Sequence, residues 1–196
     1  MCKKPYRFGV WKMEHPQLSI LICHLKNRGE IFKILHEKLT KQITTPGSVE
    51  IIVAEDNGDI SIGAKRNKLL SWAIGDYVAF VDDDDDVSDD YVSSILSAVV
   101  TSPDCVGIEG ILKSNFGDML FRHSIQFQGW YTGVDAFYRT PNHLNPVKRG
   151  IAQSIIFPDI QFGEDQRYSD YLQKMLKTEI YIGHPIYFYR KDYPTK

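Results

Sequence analysis

Past a mixed polar start, Leu18–Cys23 is a short run of aliphatic and β-branched residues bounded by polar chain, which predicts a buried strand. From Glu30 onward the period changes. Ile31, Ile34, Leu35 and Leu39 recur at helical spacing, so a helix follows. Pro46 and Gly47 mark a turn, and Val49–Ala54 predicts a second buried strand. Ile62, Leu69, Leu70 and Ala73 support another helix, closed by Gly75, and Tyr77–Val81 predicts a third strand. Ser88 is placed to cap the next helix, with Asp89 and Asp90 in its first turn, where carboxylates favour the helix dipole. Val92, Ile95, Leu96 and Val99 form the inward face of that helix.

Strand–helix alternation over the first half predicts a mainly parallel sheet flanked by helices, with right-handed crossovers. The second half differs. Val106–Leu112 and Met119–Phe127 read as strands with no helix between them, so antiparallel pieces join the sheet there. Tyr168, Tyr171, Leu172, Met175 and Leu176 mark a late helix, followed by the strand-like Ile180–Tyr189. No repeat, low-complexity linker or clear boundary divides the chain. The expectation is one α/β domain over residues 1–196.

A length of 196 residues, 43% hydrophobic, is enough for one full core. A formal net charge of -2 does not indicate a nucleic-acid binder, which normally carries a basic excess. Cys2, Cys23 and Cys105 lack metal-type spacing, and their odd number suggests no disulfide framework. No apolar run approaches the roughly 20 residues that span a bilayer, and the N-terminus lacks the apolar segment of a secretory signal. These features read as a cytoplasmic protein in a reducing compartment.

The acidic run Asp82, Asp83, Asp84, Asp85 and Asp86 follows the third predicted strand. In open α/β sheets, ligands bind beyond the carboxyl ends of the strands. Adjacent carboxylates repel one another, and a hard divalent cation such as Mg²⁺ or Mn²⁺ compensates them. A solvated acidic turn capping the following helix is the competing reading.

Gly75–Asp85 resembles the strand and Asp-x-Asp motif of family-2 glycosyltransferases, which have the GT-A fold. Gly63-Ala64-Lys65-Arg66-Asn67 resembles the helix preceding that strand, and Val49–Asn57 resembles the strand whose final Asp, here Asp56, binds the nucleobase. The likeness runs from about Leu18 to Arg190. It implies a single GT-A (Rossmann-like) domain: an N-terminal extension over 1–16, a nucleotide-binding half over about 17–100 and an acceptor and catalytic half over about 101–196. It implies that Asp82 and Asp83 contact the ribose or help hold the metal, and that Asp84 is the main link to the metal on the donor diphosphate. The run is longer than the usual motif, so its register stays open by one residue. Lys65 and Arg66 are candidates for diphosphate or base, with ordinary helix charges as the alternative. Arg28, just before the first helix, is a nucleotide candidate.

Gly163-Glu164-Asp165-Gln166 opens the late helix, and acids there also suit the helix dipole. The resemblance implies more: a Glu-Asp pair at this point whose Asp, here Asp165, is the catalytic base. Asn145-Pro146-Val147-Lys148-Arg149 and Ile155–Phe157 resemble a sub-branch of the same family. His184 is a candidate metal ligand and Arg190 a candidate diphosphate contact, both in the strand resembling the end of the catalytic domain. Trp130, Tyr131 and His143 fall in a Gly-containing stretch that reads either as an acceptor wall or as core.

The expected activity is therefore metal-dependent, inverting transfer of a sugar from a UDP- or GDP-type donor to a glycan or other hydroxyl acceptor. A nucleotidyltransferase is the enzymatic alternative, and a sugar-nucleotide or calcium-binding module the non-catalytic one. The sequence sets neither the donor sugar, the acceptor nor the oligomeric state.

Overall fold

The structure, a computed structural model, describes residues 15–115 and 117–190, together with the backbone of 6–8. Most of the expected N-terminal extension, Cys2 included, lies outside the described residues. The first half runs β1 (Tyr6–Phe8), β2 (Leu18–Leu25), α1 (Gly29–Gln42), β3 (Val49–Asp56), α2 (Ile62–Trp72), β4 (Tyr77–Phe80), β5 (Asp86–Val87) and α3 (Tyr91–Ala98). The second half runs β6 (Cys105–Lys113), β7 (Met119–His123), β8 (Tyr131–Thr132), β9 (Ala136–Arg139), β10 (Val147–Lys148), α4 (Arg149–Gln153), α5 (Glu164–Leu172) and β11 (Glu179–Arg190).

One sheet runs through both halves in the order β1-β3-β2-β4-β10-β6-β7-β9-β8, with β11 beside β6 and β5 beside β11. β3, β2 and β4 are parallel, and the long β6–β11 ladder is parallel as well. The antiparallel pairs are β1 against β3, β10 against β4 and β6, β7 against β6, β8 against β9, and β5 against β11. The continuous apolar runs of β2 and β3 follow from burial on both faces. Ile20, Ile22 and Ile51 face one core with residues of α1 and α3, such as Leu35 and Val92. Leu21, Cys23 and Ile52 face the other, with Leu69 and Leu70 of α2 and Tyr168 of α5. Among the described residues no helix is long and apolar enough to cross a membrane.

Two local expectations are corrected. Ser88 does not cap α3, because its N–H donates to Ile186 O at 2.9 Å and its hydroxyl to Asp90 Oδ1 at 2.6 Å. Asp90 takes the cap position instead. The strand expected over Met119–Phe127 stops at His123, where the chain turns and Ser124 Oγ donates to Glu179 Oε2 at 2.6 Å.

α2 is held tightly against the loop leading to α5. Ser61 caps it by accepting from Ala64 N at 3.1 Å. Gly63 N donates to Ile160 O at 3.3 Å, and a Cβ added at Gly63 would lie 1.9 Å from Pro158 O. Gly63→Ala should therefore destabilise the fold by at least the ~1–3 kcal/mol typical of overpacking, read as a lower urea midpoint at unchanged slope. An unchanged midpoint would mean that the loop yields without cost.

Candidate active site

The carboxyl ends of β2, β3 and β4, the start of α5 and the end of β9 converge on one cavity of about 580 Å³, within the range of small-molecule sites. The acidic loop after β4 forms one side. Its five carboxylates, identical as sequence, are sorted by what each one meets.

Asp83 turns inward, accepting from Leu25 N at 2.8 Å and Arg28 Nη1 at 2.7 Å, with His24 Nδ1 2.9 Å away. Asp85 turns to the other side, accepting from Tyr187 Oη at 2.7 Å and Arg190 N at 2.9 Å. Burial and the Asp82 charge hold its carboxyl well above the usual range. Asp86 pairs with Arg190 Nη2 at 2.7 Å and Lys38 Nζ at 3.2 Å. Asp82, Asp83 and Asp84 line the cavity, and Asp85 and Asp86 do not. Asp84 lies 2.9 Å from Arg28 Nη1, and burial with repulsion from Asp82 and Asp83 raises its pKa.

Arg66 connects the two acidic segments. Its side chain is 2% exposed, and it donates to Asp82 Oδ1 at 3.1 Å and Glu164 Oε1 at 2.6 Å. Its guanidinium also lies over the rings of Phe80 and Phe157. Burial opposes charge on Asp82, yet Arg66 and His143 outweigh it and hold that carboxyl well below the usual range. Burial raises the Glu164 carboxyl, with Arg66 opposing. Asp165, one residue on, is half-buried, lines the cavity and accepts from Gln166 N at 2.9 Å. Gly163 reaches this helix start through a left-handed φ of 79°, which glycine adopts without steric cost.

Most of the sequence candidates meet here: Arg28, Lys65, Arg66, Asp82, Asp83, Asp84, His143, Glu164 and Asp165 all line the cavity. His143 is buried, with Nε2 3.6 Å from Asp82 Oδ2, on a turn pinned by Asn145 Nδ2 donating to Val106 O at 2.9 Å. Asp56 sits behind the wall, ion-paired with Lys65, and its neighbours Gly58 and Ile60 face the cavity.

Four sequence candidates lie outside the cavity. His184 lies outside the cavity, with Nε2 2.8 Å from Asp90 Oδ2 on an exposed edge, because its strand carries it past α3. Arg190 is held on the far side of the acidic loop by Asp85 and Asp86. Trp130 is not in the cavity wall, since its indole donates to Thr140 Oγ1 at 3.1 Å behind it. Tyr131 is exposed and stacks on Tyr138, with ring centroids 5.0 Å apart.

Sequence reasoning missed His123, Arg139, Gln161 and Phe162, which also line the cavity. Burial and the Arg139 charge depress the His123 pKa to about 3, so this imidazole is neutral at physiological pH. Arg139 ends an aromatic strand, a position that reads as ordinary β surface until the topology brings it inward. Phe162 is 87% exposed despite its apolar ring, which only the structure reveals.

The donor set suits a divalent cation. Asp82 and Asp84 present hard oxygens to one cavity, the ligand type that Mg²⁺ and Mn²⁺ take. Among the described residues, no three His, Cys, Asp or Glu side chains are gathered to hold a metal unaided. Mg²⁺-type sites commonly use one or two carboxylates completed by substrate phosphates.

Similarity to known proteins agrees with this geometry. The chain is 24% identical to EpsH of Bacillus subtilis (strain 168) over 220 residues, covering 91% of the chain and 62% of that protein. The structure of S. aureus TarS 1–349 in complex with UDP-GlcNAc superposes with a TM-score of 0.70 at 16% identity, over 90% of this chain and 59% of that one. A longer S. aureus TarS structure matches with a TM-score of 0.70 at 16% identity, over 89% of this chain and 36% of that one. These matches show the GT-A fold, and the chain spans less than two thirds of each relative's length. The profile of the family described as glycosyl transferase family 2 matches residues 61–163, from the cap of α2 through the acidic loop to the glycine before Glu164. With more than half of the chain inside that match, and the acidic loop and the Glu-Asp pair lining one cavity, the chain belongs to glycosyl transferase family 2.

Proposed function

We propose that the chain transfers a sugar from a nucleotide-sugar donor to an acceptor hydroxyl, with inversion at the anomeric carbon. One observation carries this reading: Asp82–Asp84 and Asp165 line a single cavity, and Arg66 and Glu164 fix the distance between them. The bound UDP-GlcNAc and UDP of the TarS structures support a UDP-type donor. Family membership favours sugar transfer over nucleotidyl transfer.

In this reading Lys65, Arg28 and Asp83 form the nucleotide end, with Asp56 orienting Lys65. Asp82 and Asp84 would hold Mn²⁺ or Mg²⁺, and such a cation would supply Lewis-acid stabilisation of the leaving charge. Asp165 accepts the proton of the acceptor hydroxyl as its oxygen attacks the anomeric carbon. The bond from that carbon to the phosphate oxygen breaks, and its electron pair leaves with the nucleoside diphosphate. Attack opposite the leaving group inverts the centre. Glu164 is held by Arg66 at 2.6 Å, which leaves Asp165 as the carboxylate free to take the proton.

A thermal-shift screen of UDP- and GDP-sugars with Mn²⁺ and Mg²⁺ tests the donor reading, because a ligand of the folded state raises the midpoint by mass action. Asp84→Ala should abolish the metal-dependent shift, and Asp86→Ala should retain it. The reverse order would place the metal link elsewhere in the loop.

A further inference from the structure

Four Lys and Arg side chains line the cavity: Arg28, Lys65, Arg66 and Arg139. Three are committed to carboxylates of the protein, Arg28 to Asp83 and Asp84, Lys65 to Asp56, and Arg66 to Asp82 and Glu164. Arg139 differs. Among the described residues its guanidinium has no hydrogen bond or ion pair, only the face of Trp130, 4.5 Å from Cζ to the ring centroid. That stack steadies the planar group and leaves its N–H donors unused.

Arg139 is half-buried at the end of β9, so water compensates its charge incompletely. Thr140, the next residue, has its hydroxyl 2.7 Å from that of Ser169, one turn beyond Asp165 in α5, so Arg139 stands at the Asp165 end of the cavity. Burial lowers its pKa, opposed first by Asp165 and then by Tyr189. Arg28 and Lys65 serve the nucleotide end, and Arg66 is held between Asp82 and Glu164.

Resting on the transfer reaction proposed above, we infer that Arg139 recognises an anionic group on the acceptor, a carboxylate or a phosphate carried by the acceptor sugar. A carboxylate or phosphate matches the guanidinium fork in a bidentate pair. Held there, the anion sets which acceptor hydroxyl faces Asp165.

The test uses glucose, glucuronic acid and glucose 6-phosphate, titrated by ligand-observed NMR into the chain saturated with UDP and Mn²⁺ at constant salt. At least one acid should bind about 10- to 100-fold more tightly than glucose, the range expected of a charge-assisted pair. The preferred acid tells carboxylate from phosphate recognition. Arg139→Gln should erase the preference, Arg139→Lys should retain part of it, and UDP affinity should be unchanged in both. Acids no better than glucose, or a preference that survives Arg139→Gln, would overturn the assignment. So would a matching loss of UDP affinity in Arg139→Gln, which would place this residue on the donor diphosphate. UDP binding to the unaltered chain is measured first, and its failure would count against the donor reading. The ratio among the three sugars is then read without UDP and judges Arg139 separately.

Discussion

Asp165→Asn is expected to transfer sugar about 10²–10⁴-fold more slowly than the unaltered chain, the usual loss for a positioned general base. The amide keeps the size of the carboxylate and can still accept from Gln166 N, so the start of α5 should survive. It cannot take a proton at neutral pH. The lost interaction belongs to the transition state, so donor affinity should stay within about twofold. Calorimetry with UDP and a product assay read the two halves independently. Near-normal transfer would remove Asp165 from the mechanism and turn attention to Glu164. Loss of UDP binding would give Asp165 a role in holding the donor.

Arg66→Met should be the most damaging change to the fold among the cavity residues. The side chain is long enough to fill the space against Phe80 and Phe157, but Asp82 and Glu164 lose their shared cation. Breaking a buried pair by removing one partner typically costs about 3–5 kcal/mol, because the remaining charge is uncompensated. The pH dependence has a definite sign. Asp82 has a folded pKa below its ordinary value of 3.8, so its pairing stabilises above that value and fades as pH falls through the folded one. The stability gap between the unaltered chain and Arg66→Met should therefore be widest at neutral pH and narrow in acid. The double variant Arg66→Met with Glu164→Gln should recover part of the loss, since one unpaired charge is gone. A small, pH-independent loss in Arg66→Met would mean that packing, and not charge, is what Arg66 contributes.

The nucleotide half was legible because its signals are local. Leu18–Cys23 and Val49–Ala54 carry apolar residues to both faces, as interior parallel strands must, and each is paired on both edges. β8, β9 and β10 were not legible, being two to four residues long and defined by their partners. The acidic run illustrates the limit at the site. Sequence placed it on a strand end but could not rank five identical residues. Their ranking comes from His24 and Arg28 on one side and Tyr187, Arg190 and Lys38 on the other, all distant in sequence. The place of His184 and Arg190 depends on topology in the same way: β11 pairs with β5 and carries both outside the cavity. Arg139 was invisible, because lacking a partner is a property of the folded chain alone.

Metal-dependent sugar transfer is tested most directly by nucleoside diphosphate release from a panel of UDP- and GDP-sugars, with Mn²⁺ and then with EDTA. Release is expected from one donor class in Mn²⁺, with loss of that release in EDTA and the same loss in Asp84→Ala. Release that is indifferent to EDTA, or none from any donor while UDP still binds, would contradict metal-dependent transfer.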